Sequence, residues 1–205
     1  MNQETLLHTF ITNQTVGWLE EDLPTMENEF PANREKMIVS LSAAIKEVCC
    51  QARQQQEAGA KGSAAYLCIS FLRTNILDDI WQYRLDLYDE KFPLDRTECS
   101  GIWNMEFVWG NFTKRLTELA DAVRSGIYVN KIRPFNINAI KMTMAEKYNL
   151  AAIVLTQMII KEAIQTPEYA DMAKVIDFTI MMGEYQDQCI TIYEESWDQD
   201  ENSSN

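Results

Sequence analysis

The segment from Ala64 to Asp89 constrains the fold most, because the hydrophobic period changes inside it. Ala64, Ala65, Tyr66, Leu67, Cys68, Ile69, Phe71 and Leu72 make a run that is apolar nearly all round. With Ser63 as its cap, that run reads as a central, buried helix extending to about Asp79. From Trp81 the pattern switches: Trp81, Tyr83, Leu85 and Leu87 alternate with Gln82, Arg84, Asp86 and Tyr88, the two-residue period of a half-buried strand. A turn at Asp89-Glu90-Lys91 returns a Phe92-Pro93-Leu94 arm, which Pro93 confines to an edge. An isolated hairpin is marginal, so this one is expected to lie on helices.

The flanking sequence supplies those helices. Met37, Leu41, Ala44/Ile45, Val48 and Ala52 recur every three or four residues, one stripe that begins after Pro31 and Asn33 and breaks at Gly59 and Gly62. A second stripe runs Met105, Val108/Trp109, Phe112, Leu116, Leu119/Ala120, Val123 and stops near Ser125-Gly126. A third starts after Arg133-Pro134, with Asn136 or Asn138 as cap, and carries Ile140, Met144, Tyr148, Ala151/Ala152, Leu155 and Met158/Ile159. Thr166-Pro167-Glu168 reads as cap, first-turn proline and first-turn acid of a helix through Met172, Val175/Ile176, Thr179, Met182/Gly183 and Tyr193. A helix around Leu6 to Glu21 is weakened by Thr9, Thr12, Thr15 and Gly17. The expectation is mainly α: a bundle of five to six helices with one short hairpin near 81–95. It forms a single domain over 1–197, with an acidic, disordered tail over 198–205.

Charge needs dividing before it says anything about partners. The 205 residues carry a net charge of −13, but residues 1–35 hold −6 of it and residues 194–205 hold −5, leaving −2 for the body. Nucleic acid is a poor partner for such a chain, and the acidity belongs to the ends. No apolar run reaches the length of a membrane span, and no basic residue precedes Arg34 to start a secretory signal. Five scattered cysteines without a CxxC read as reduced thiols. A cytoplasmic protein is expected.

Chemistry has few places to sit. His8 is the only histidine, so histidine-based zinc and di-iron helices cannot be built, and no metal or cofactor is expected. Gly59-Ala60-Lys61-Gly62-Ser63 lacks the glycine spacing of a phosphate loop and reads as a turn. Glu118/Asp121 and Glu184/Asp187 have the spacing of acids sharing a helix face, which in an acidic chain reads as solvated surface rather than a Mg2+ site. Arg73, following an apolar run, needs a carboxylate or an anionic ligand. Two readings stand: a structural ion-pair network with Asp78, Asp86 or Asp89, or a ligand pocket of Arg73, Asn75, Arg84, Asp86, Tyr88 and Asp89. Arg124, Lys131, Arg133 and Lys141 form an acid-free stretch with Tyr128, Asn130 and Phe135, a candidate surface for an anion or an acidic partner.

Ile69-Ser70-Phe71-Leu72-Arg73-Thr74, with Tyr83-Arg84-Leu85-Asp86-Leu87-Tyr88-Asp89-Glu90-Lys91 and Phe92-Pro93-Leu94-Asp95, resembles an uncharacterised family of bacterial all-helical cytoplasmic proteins. The resemblance implies a soluble bacterial protein and brings no activity, cofactor or site residue. From the residues, the functional expectation is a non-enzymatic helical binding or regulatory module that self-associates or meets another protein. The alternative is a small-molecule or phosphorylated-ligand pocket, Mg-dependent if enzymatic, around Arg73, Arg84 and Asp86.

Overall fold

The computed structural model describes residues 9–11, 14–124 and 131–195. His8, Ser125-Gly126, Tyr128, Asn130 and the acidic tail lie outside the described residues. In chain order come α1 (Trp18–Glu57), β1 (Ala64–Phe71), α2 (Arg73–Leu77), β2 (Gln82–Asp89), β3 (Ser100–Asn104), α3 (Glu106–Val123), α4 (Pro134–Gln157), α5 (Ile160–Ala163), α6 (Pro167–Asp171), β4 (Lys174–Glu184) and β5 (Cys189–Glu194). The strands form one mixed sheet in the order β3-β2-β1-β4-β5, in which only the β1–β4 pair is parallel. An all-helical bundle with a single short hairpin is therefore wrong.

Two segments account for the correction. An apolar run of eight residues fits a buried helix and a buried strand equally well by period. Here it is β1, the middle strand, paired on both edges, packed by helices on one face and flanked by loops on the other, so seven of its eight positions are buried and the alternation is lost. The second segment is β4, whose Phe178, Ile180 and Met182 are completely buried on a two-residue period. The helical spacing of Val175/Ile176, Thr179 and Met182 coexists with that alternation. Thr166 does cap a helix, accepting the Tyr169 N–H at 3.3 Å, but the helix ends at Asp171. The Phe92-Pro93-Leu94 arm is not a strand either; β2 pairs instead with β3.

The three helical stripes are present. α1 is longer than expected, since it runs through Pro24 and Pro31 and buries Met26 and Phe30 as well as Met37, Leu41, Ile45, Val48 and Ala52. Gly17, at φ 90°, separates it from the helical turn before it. At the start of α4, the Asn136 side chain accepts the Arg133 N–H at 2.9 Å.

The described helices pack on one face of the sheet. Leu67, Ile69, Phe71, Tyr83, Leu85, Leu87, Phe178, Ile180 and Met182 point into that layer and are at most 2% exposed. Tyr83 donates its hydroxyl to Asn149 of α4 at 2.8 Å. Gly101 of β3 lets α1 come close: a Cβ there would lie 3.0 Å from the Val48 side chain. No described helix is long and apolar enough to cross a membrane.

Candidate functional site

Strand alternation fixes what the other face of the sheet presents. The register sets Cys68 between Asp86 and Met181, Ser70 between Arg84 and Gly183, and Tyr66 between Tyr88 and Thr179. No described helix covers these residues. Two loops wall them instead: the arm 90–98, through Phe92 and Pro93, and the β4–β5 turn, through Tyr185, Gln186 and Asp187. Between the walls lies a cleft of about 610 Å3, within the usual range for small-molecule sites, floored by Cys68, Ser70, Asp86, Met181 and Cys189. A smaller recess of about 280 Å3 continues it past Asp86 and Tyr88 toward Glu98.

The arm is held by a buried ion pair. Lys61 and Asp95 bond each other with side chains 0% and 3% exposed, and Lys61 also donates to the Thr97 carbonyl at 2.9 Å. Asp95 accepts the Asp89 and Thr97 N–H groups at 2.9 and 2.8 Å, while Asp89 accepts those of Gly62 and Lys91 at 3.0 and 2.9 Å. Burial pushes both acids upward, but these donors outweigh it and leave both carboxyls below their ordinary value. Gly59-Ala60-Lys61-Gly62-Ser63 is thus the turn expected, now between a helix and a strand. Phe92 extends from the arm between Tyr88 and Tyr66, ring centroids 4.9 and 5.2 Å away.

Asp86 is the buried acid of the cleft. Arg84 Nε reaches both of its oxygens at 2.9 and 2.8 Å, and Arg84 also donates to Glu98 at 2.7 Å. Hydrogen bonding to Asp86, then to Glu98, raises the Arg84 pKa against the cost of burial. The guanidinium lies 5.9 Å from the Tyr185 ring centroid. Burial pushes the Cys68 thiol up to about 12, with Cys189 and Asp86 adding to it, and burial raises Cys189 as well. Both thiols stay protonated at neutral pH, which makes them poor nucleophiles and soft packing surface. Tyr88 is raised by burial, then by Asp86 and Tyr185.

Arg84, Asp86 and Tyr88 come together as one group. Asp89 is a structural acid under the arm. Arg73 is elsewhere: β1 ends at Phe71, so its side chain emerges 57% exposed at the start of α2. There it pairs with Glu184 and, at 3.7 Å, with Glu146, not with Asp78, Asp86 or Asp89. Asn75, on α2, is absent from the cleft lining. Lys141 is buried against Asp79 at 2.6 Å and the Leu77 carbonyl at 3.0 Å, so it adds no open cation to Arg124, Lys131 and Arg133. Arg124 lies 3.7 Å from Asp121 and Arg133 caps α4. Glu184 and Asp187 sit at a strand end and in a turn, not on a helix, and Glu118 and Asp121 face Arg115 and Arg124. Among the described residues, no group of three or more His, Cys, Asp or Glu could hold a metal. The five cysteines are free thiols.

Cys68, Met181, Tyr185 and Cys189 were not legible as site residues, because strand pairing unites positions more than one hundred residues apart. No family model matches the chain, and no curated protein or solved structure matches it.

Proposed function

We propose that the chain is a binding module whose cleft holds a small organic cation with an aromatic or apolar body. The observation that carries this reading is the lining: Tyr88, Phe92 and Tyr185 supply ring surface, Asp86 and Asp187 supply negative charge, and no lysine or arginine lines the cleft itself. Arg84, just behind, is shared between Asp86 and Glu98 and leaves the neighbourhood net negative. Aromatic faces beside carboxylates attract cations by about 0.5 to 2 kcal/mol per ring contact. A phosphorylated ligand would have to compete with two carboxylates for Arg84, which favours the cation. The protonated thiols suit a module that binds without covalent chemistry.

Calorimetric titration with phenethylamine and with phenylacetate tests the reading, since the two share a ring and differ in sign. Binding of the amine alone is expected, weakened at least about tenfold in Tyr185→Ala and Asp187→Asn, a loss of about 1.4 kcal/mol. Both changes lie on the wall, away from the core. Equal binding of acid and amine, or amine binding indifferent to both substitutions, would refute it.

A further inference from the structure

The space over the open face of the sheet has two ends of opposite charge. The cleft and the smaller recess join along Asp86, Tyr88, Pro93, Tyr185 and Gln186, which line both. Asp187, in the β4–β5 turn, lines the cleft but not the recess, whereas Arg96, in the arm, lines the recess but not the cleft. The two side chains stand at opposite ends of one continuous space, with the shared residues between them.

Pairing sets these two apart from the charges around them. Arg84 is divided between Asp86 and Glu98, and Glu98 also accepts the Ser100 hydroxyl at 3.1 Å. Asp95 is bonded to buried Lys61. Among the described residues, neither Asp187 nor Arg96 has an ion pair or a side-chain hydrogen bond. Arg73 feels Asp187 only weakly and is itself bonded to Glu184. Arg96 is exposed, yet its main chain is held on both sides. Asp95 is fastened under the arm, and Thr97 donates its N–H to Asp95 at 2.8 Å and its hydroxyl to the Ala60 carbonyl at 3.0 Å. The guanidinium is thus offered to the recess from an anchored position.

Resting on the reading that the cleft takes an organic cation, we propose that its ligand is a zwitterion whose ammonium and carboxylate are held apart by a ring. The ammonium meets Asp86 and Asp187, the ring lies beside Tyr88 and Tyr185, and the carboxylate enters the recess to meet Arg96. A guanidinium with its donors open is the side chain best matched in shape to a carboxylate. A recess of about 280 Å3 is about 8 Å across, so a carboxylate at Arg96 stands roughly that far from an ammonium at Asp86. An α-amino acid carries both charged groups on one carbon and cannot serve both ends.

Calorimetric titration of the full chain at low ionic strength with para-methylbenzylamine, para-(aminomethyl)phenylacetate and phenylalanine tests this. The aminomethyl acid should bind about threefold to fivefold more tightly than para-methylbenzylamine, the gain expected of one exposed ion pair. In Arg96→Gln the ratio of the two affinities should fall to about one, and Arg96→Lys should restore part of it. Phenylalanine should bind more weakly than para-methylbenzylamine, because its carboxylate is carried to Asp86. A ratio near one in the wild type, or a ratio that Arg96→Gln leaves unchanged, overturns the zwitterion while amine binding keeps the cation reading intact. Phenylalanine binding as tightly as the aminomethyl acid overturns the separation of charges, and a wild-type chain that binds none of the three overturns both readings.

Discussion

The two faces of the sheet are made from the same strands, yet they obey different rules. On the helix side, Leu67, Leu85, Phe178 and their neighbours are fully buried, and each change of size there creates a void or a clash. On the other side the same strands present Cys68, Ser70, Arg84, Asp86, Tyr88 and Met181 to a space closed by loops. One face is held by packing throughout its area. The other is held at its margin, by the Lys61–Asp95 pair that fastens the arm and by the β4–β5 turn. Packing is thereby concentrated on one side of the sheet, and side chains that line the cleft are spared from carrying the core.

That separation can be broken by measurement. Phe178→Ala on the packed face should cost about 3 to 5 kcal/mol, whereas Tyr88→Ala on the open face should cost about 1 kcal/mol; chemical unfolding of both variants ranks them, and equal losses would erase the distinction. Lys61→Met leaves Asp95 buried without its cation and should cost about 3 kcal/mol or more. Only part of that should return in Lys61→Met/Asp95→Leu, read by the same unfolding curves, because the Asp89 and Thr97 N–H groups then lose their acceptor. A smaller effect comes from acid. Asp89 and Asp95 have folded pKa values below their ordinary value of about 3.9, so the stability they contribute is complete above that value and is lost as pH falls through the folded ones. Unfolding midpoints measured from neutral pH down into that window should drop, and the drop should be shallower in the Lys61→Met/Asp95→Leu variant. A midpoint insensitive to acid in the wild type would show that the arm is fastened by something else.

Legibility from sequence followed whether a period was unique. The stripes of α1, α3 and α4 admit one reading, and the helices formed where the stripes lie. β2 was equally plain, because Tyr83, Leu85 and Leu87 alternate with Arg84, Asp86 and Tyr88, and that alternation set Arg84, Asp86 and Tyr88 together on the face away from the helices. β1 was ambiguous by nature: burial on both sides erases period. β4 satisfied two periods at once, and only its partners could choose between them. Arg73 was misplaced as a direct result, since a helix continuing past Leu72 would have kept it among apolar neighbours while a strand ending at Phe71 delivers it to solvent. The remaining cleft residues depend on long-range pairing, about which local pattern is silent.

Gly183 bears on how such a site can change over time. A Cβ at this position would meet the Gln188 carbonyl oxygen at 2.1 Å and Cys189 Cα at 2.7 Å, so the turn that walls the cleft rests main chain against main chain. The wall's position is then set by main chain more than by the side chains of Tyr185 and Asp187, although Gln186, at φ 56°, occupies the left-handed region that β-branched residues avoid. Descendants of this chain can exchange Tyr185 and Asp187 and so alter the lining of the cleft within an unmoved frame, provided that the one position without a side chain stays empty.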